Sequence, residues 1–208
     1  MSQFARRLGI AGRSGTPADM LVVGLGNPGD QFEGTRHNVG ADVVRLLAER
    51  HGQQLKRTKS RALAAGLILD GKRVVVAFPQ TFMNNSGEAV RNLVRTFGVQ
   101  EPDHILVVHD ELDLDAGRLR LKAGGGLAGH NGLRSITSHL GTTEYLRLRL
   151  GVGKPPSTHK GSEWVLRRPS KADQQILDDA IERAADAVEM VIDQGVEAAM
   201  AVVNRRAS

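Results

Sequence analysis

The sequence predicts an α/β fold, a three-layer α/β/α single domain with a mixed, mostly parallel twisted sheet. Three observations predict it. Short apolar, β-branched runs alternate along the chain with segments of helical period. Some strand-like runs follow one another directly across a turn, which adds antiparallel pairs to an otherwise parallel sheet. No repeat or linker interrupts residues 20–204 of a chain of 208 residues, 40% of them hydrophobic, which suits one core.

Leu21-Val22-Val23 is a short buried-strand signal, stopped by Gly24, Gly26, Pro28 and Gly29. From Asn38 the spacing of Val39, Val43, Leu46 and Leu47 turns helical, and Gly52 ends it. Residues 63–69 and 73–78 read as two strands around Asp70-Gly71, a hairpin signal. Ser86 is expected to cap a helix whose apolar face is Val90, Leu93, Val94 and Phe97, closed by Gly98. Residues 105–108 form another buried strand, with the acidic run 110–115 close behind. Leu119 and Leu121 alternate with Arg118, Arg120 and Lys122, giving a strand with one basic face. A glycine loop at 124–132 leads into a helix ending near Gly141. Residues 145–150 alternate again, now showing Arg147 and Arg149, and 151–161 is a loop. Residues 172–195 are the longest helical pattern, too acidic outside to bind RNA and expected to cover the sheet. Residues 1–19, with Arg6, Arg7 and Arg13 among small residues, read as a basic N-terminal tail, disordered and without function, ahead of a domain at 20–208.

Composition narrows the function. A net charge of +5 suits a polyanionic partner, of which nucleic acid is the usual one. Aromatic residues make up only 3%, too few for a base-stacking platform, so phosphate contacts and shape should dominate. The absence of cysteine removes disulfides and thiolate metal sites and favours a reducing compartment. No apolar run reaches the roughly 20 residues of a membrane helix. We therefore expect a cytoplasmic protein with no membrane contact, and a monomer, since no exposed apolar stripe demands a partner.

Gly24-Leu25-Gly26-Asn27-Pro28-Gly29 matches the GxGxxG pattern after a strand, but Pro28 interrupts the turn and the helix starts several residues late. A tight turn presenting Asn27 beyond a strand end is the better reading. Other polar residues fall at similar places. His37 and Asn38 open the first helix, Asn84 and Asn85 precede the second, His109 and Asp110 end the central strand, and His130 with Asn131 precedes the third helix. Strand ends in such sheets converge on one crevice. An imidazole can take a proton from water, and a carboxylate on its other nitrogen fixes the tautomer, which makes His37 and Asp110 candidates. Asparagine amides can donate to a developing oxyanion without adding charge. Taken singly, Asn84 or Asn131 would be a helix cap and Asp110 part of an acidic turn. His51, His104, His139 and His159 read as surface or filler. No G-x-S-x-G elbow and no HExxH is present.

Five blocks then become specific. Val23 to Gly29 with Thr35-Arg36-His37-Asn38, Thr81-Phe82-Met83-Asn84 with Ser86-Gly87, and His109 to Leu114 resemble, in order, the signatures of bacterial-type peptidyl-tRNA hydrolase. So do Gly124-Gly125-Gly126 through Gly129-His130-Asn131-Gly132, and Arg147 to Gly153 with Pro155. The resemblance implies hydrolysis by water of the ester joining a peptide to the 3′-terminal ribose of tRNA, with no metal or organic cofactor. It makes His37 the general base, Asp110 its orienting partner and Asn84 a third catalytic residue. Asn27, Phe32, Met83 and Asn131 become substrate-binding, and Lys122 and Arg149 grip the 5′-phosphate beside the acceptor stem. Many members carry Tyr where this chain has Phe32, and a polar residue and Gly where it has Leu127 and Ala128. The loop at 154–161 corresponds to one flanking the peptide groove, with the composition of a mobile lid. Two other readings stand beside this one. The first is a non-catalytic RNA-binding relative, similar to an organellar intron-splicing factor, against which His37, Asp110 and the three asparagines argue. The second is a Mg²⁺-dependent phosphoester hydrolase using the acidic run.

Overall fold

Alternate residues of the central strands serve two different cores. Val22, Leu106 and Val108 pack into one apolar cluster, and Leu21, Val23, Ile105 and Val107 into the other. This is the period-two pattern of a sheet covered on both faces. A computed structural model describes residues 2–10, 16–155 and 161–205. Arg13, His159 and 156–160 of the expected lid lie outside them.

Seven strands run in the order β2-β3-β4-β1-β5-β7-β6. They are β1 (Met20–Gly24), β2 (Lys56–Arg57), β3 (Ala62–Leu69), β4 (Lys72–Pro79), β5 (Ile105–Glu111), β6 (Leu119–Ala123) and β7 (Leu146–Gly151). Strands β4, β1, β5 and β7 are mutually parallel, while β3 and β6 run against their neighbours. The β3–β4 turn takes positive φ at Asp70 (47°) and Gly71 (71°), as its sequence predicts.

Helices α2 (Val39–Arg50), α6 (Lys171–Gln194) and α7 (Val196–Val203) bury their apolar sides on one face of the sheet. On the other lie α1 (Gln3–Arg7), α3 (Ser86–Phe97) and α4 (Asn131–Leu140). A short α5 (Gly161–Val165) precedes α6. Gly98 and Gly141 end α3 and α4 in the left-handed region, at φ of 67° and 62°. The long helix does cover the sheet, and the chain then continues into α7. There Asn204 bonds both the N–H and the carbonyl of Leu121, at 2.9 Å each, and so covers part of the β6 edge.

Two expectations are corrected. Residues 2–10 are not a disordered tail: Ser2 caps α1, and Phe4, Ala5, Leu8 and Ile10 are buried in the α3–α4 cluster. Arg7 donates to the carbonyls of Leu140 and Gly141, at the end of α4. Four apolar side chains diluted among arginines and glycines make too short a periodic run to see in sequence. Ser86 is not a cap but the first residue of α3. A preceding 3₁₀ turn, Met83–Asn85, redirects its hydroxyl to the Met83 carbonyl at 2.9 Å.

Candidate active site

The site begins with a contact between two pieces of main chain. A Cβ on Gly24 would lie 2.0 Å from the carbonyl oxygen of Gly40, and one on Gly40 would lie 2.2 Å from that of Val108. With no side chain at either position, the start of α2 sits directly on the ends of β1 and β5. Hydrogen bonds from Leu25 N to Val108 O (2.9 Å) and from Ala41 N to Leu25 O (3.0 Å) fix it there. The glycines after β1 thus serve helix–strand approach. Their consequence is that the 3₁₀ turn Arg36–Asn38 carries His37 to the end of β5, where its Nδ1 lies 2.8 Å from Asp110 Oδ1.

Neighbouring residues hold that turn. Asn38 is buried and brackets Asn27, its Oδ1 accepting from Asn27 N (2.9 Å) and its Nδ2 donating to Asn27 O (3.0 Å). Asn27 Oδ1 in turn accepts from Met83 N at 2.8 Å, which leaves the Asn27 amide nitrogen as the group it can offer a ligand. Buried Arg36 donates to the carbonyls of Arg167 (3.3 Å) and Arg168 (3.2 Å) and pairs with Asp173 (3.0 Å). It also stacks 4.0 Å from the Trp164 ring centroid, so the α5–α6 connection is pinned beside His37.

These elements enclose a cleft of about 480 Å³. Asn27, Phe32, His37, Met83, Asn84, Asp110 and Asn131 all line it; Lys122 and Arg149 do not. Neither Asn84 nor Asn131 spends its side chain on capping. The cap of α4 is His130, whose Nδ1 accepts from Gly132 N and Leu133 N. His130 and Phe82 line the cleft too, though sequence reasoning assigned neither a role. Phe82 is 58% exposed and meets Phe32 edge to face at 6.3 Å. Its exposure is the signal, and sequence does not carry it.

Burial pushes the His37 imidazole down, but the charge and hydrogen bond of Asp110 outweigh it and hold His37 above its ordinary value. Burial pushes Asp110 up, yet His37 and His130 together hold its carboxyl well below the usual range. His109 behaves differently. It is fully enclosed and donates from Nδ1 to the Asp110 carbonyl at 2.7 Å, and burial next to His130 lowers it to about 3. It is a neutral structural group. His37, Asp110 and His130 are the one set of acidic or imidazole side chains among the described residues close enough to share an ion. A cation there would displace the protons of both hydrogen bonds to Asp110. Within the acidic run, Glu111 lies buried in β5 and pairs with Arg149 at 3.0 Å.

At the sheet edge, Lys122 is exposed and Arg149 half-buried. Arg147 corrects a sequence expectation. It is 2% exposed, because the glycine loop folds over it and takes its guanidinium protons on the carbonyls of Gly124 and Gly126. In that loop Ala128 takes φ of 48°, where glycine is strain-free, and Leu127 is partly buried against the α3–α4 core.

Known proteins are similar to this chain in sequence and fold. The profile of a family described as peptidyl-tRNA hydrolase matches residues 21–208. A peptidyl-tRNA hydrolase of Frankia alni is 52% identical over 177 residues, 85% of this chain and 89% of its own. That of Rhodococcus opacus is 51% identical over 180 residues, 86% of this chain and 94% of its own. The crystal structure of peptidyl-tRNA hydrolase from Acinetobacter baumannii superimposes with a TM-score of 0.85 at 38% identity, covering 91% of this chain and 97% of that one.

Proposed function

The chain belongs to the peptidyl-tRNA hydrolase family and hydrolyses the ester of peptidyl-tRNA, and from that premise we propose how its own residues do so. His37 is the general base. With Nδ1–H committed to Asp110, its Nε2 takes a proton from water, and the resulting hydroxide equivalent attacks the ester carbonyl carbon. Asp110 fixes the tautomer and stabilises the imidazolium. The carboxamide of Asn84 donates to the oxygen that becomes negative, while Asn27 and Asn131 position the peptide and the water. The tetrahedral intermediate then expels the 3′-oxygen of the terminal ribose, which recovers the proton from His37. The products are a free peptide carboxylate and tRNA.

Phe32 and Met83 give the peptide an apolar wall. Lys122 and Arg149 hold the 5′-phosphate beside the acceptor stem, fixing register without reading sequence. The protein works as a monomer in the cytoplasm, without a metal. The observation that carries this reading is the 2.8 Å contact between His37 and Asp110 at the wall of a cleft lined by three asparagines. The non-catalytic alternative is not favoured, because relatives near half identity are hydrolases by name.

Release of an N-blocked aminoacyl group from tRNA should be unaffected by EDTA. It should fall by about two to four orders of magnitude in His37→Ala. Turnover near wild type in that variant would overturn the assignment.

A further inference from the structure

The oxygen of Asp110 that holds His37 also receives a second imidazole. His130 Nε2 lies 3.0 Å from the same Oδ1, and the His130 side chain is 8% exposed. The other nitrogen of that ring is already committed. Nδ1 accepts from the backbone N–H of Gly132 at 3.1 Å and of Leu133 at 3.4 Å, in the first turn of α4. A ring nitrogen that accepts such bonds carries no proton, so the single proton of the neutral ring is on Nε2 and points at Asp110.

Resting on the assignment of His37 and Asp110 as the acid–base pair, we infer that His130 is a positioning residue for the reaction. Its imidazole caps α4 with one nitrogen and pins the catalytic carboxylate with the other. The helix start that bears Asn131 and the pair that activates water are thereby one rigid body.

Sharing has an electrostatic consequence. Oδ1 divides its charge between two N–H donors, so His37 meets a weaker partner than an undivided carboxylate and keeps more of the neutral form a base requires. The charged and titratable groups around this arrangement are few. On β5, His109 stands edge-on to His130 with ring centroids 4.9 Å apart, and Glu111 is paired to Arg149. On β7, Arg147 is held by the glycine-loop carbonyls. From the start of α2, His37 itself lies 5.3 Å from His130, centroid to centroid.

The test separates pinning from capping. In His130→Asn the shorter side chain retains an acceptor for the helix N–H groups but cannot reach Asp110. We expect an unchanged KM, kcat lower by about tenfold, and an acid limb of the pH–rate profile moved upward by about half a unit. A profile and kcat that overlay wild type would overturn the inference. Nitrogen NMR of the unmodified protein is a second readout that needs no variant. The neutral ring of His130 should show the Nε2–H tautomer, and an Nδ1–H tautomer would overturn it as well. Failure of the underlying mechanism looks different, because His37→Ala would then remain active whatever His130 does.

Discussion

At the centre of the sheet the polar groups are buried and tied to one another, whereas at the β6–β7 edge they are more exposed and loosely held. At the ends of β1, β4 and β5, Asn27, His37 and Asp110 are fixed by bonds of 2.8 to 3.0 Å from neighbours that are buried or half-buried. At the edge, Lys122 is exposed and, among the described residues, Arg149 has one side-chain tether, to Glu111. Under the proposed roles, the difference teaches what each task demands. Bond-making to water needs donors and acceptors already in place, since any reorganisation is added to the barrier. Holding a phosphate needs charge and access, and tolerates motion.

The strongest way to break this contrast is Asp110→Asn. The amide keeps the volume but can present N–H to His37 and reverse its tautomer, so kcat should fall by about three orders of magnitude with KM for tRNA little changed. Turnover within tenfold of wild type would show that the geometry at the centre is not limiting.

Acid stability gives a second, smaller measure of the centre. The folded protein lowers His109 to about 3, so below pH 6.5 the unfolded chain takes a proton that the folded one refuses. Stability from this group is therefore lost as pH falls from 6.5 towards 3, by about 2–3 kcal/mol at pH 4.5. His37, raised by Asp110, contributes fully throughout that window, and Asp110, held low, contributes down to about pH 4. Urea unfolding at pH 7 and 4.5 should show this loss in wild type and much less of it in His109→Gln. Equal losses would remove His109 as its source.

The edge should respond least. Lys122→Ala is expected to raise KM for tRNA by about tenfold, leave kcat alone, and flatten the salt dependence by about one released ion. An equal effect on a small N-acyl ester without a tRNA body would place Lys122 with the chemistry instead.

Most of this architecture is written in local pattern. The strands alternate as their cores require, Asp70-Gly71 turns the hairpin, and Gly98 and Gly141 stop their helices. That Asn27 and Asp110 stand at strand ends, and His37 and Asn84 at helix starts, is also readable. What is not readable depends on how separate segments fold over each other. Alternation puts Arg147 on the basic face of β7, but only the path of the glycine loop buries it. His130 looks like one more polar residue in that loop until α4 starts beneath its Nδ1 and β5 delivers Asp110 to its Nε2. Residues 2–10 pack because α3 and α4 offer them a surface that their own sequence does not announce.

The main-chain crossing of Gly24 and Gly40 bears on how such a molecule can drift over generations. A methyl group at either position meets carbonyl oxygen, not a yielding side chain, so no nearby replacement can make room for it. The two codons are locked together by sterics alone, whatever the selection on activity.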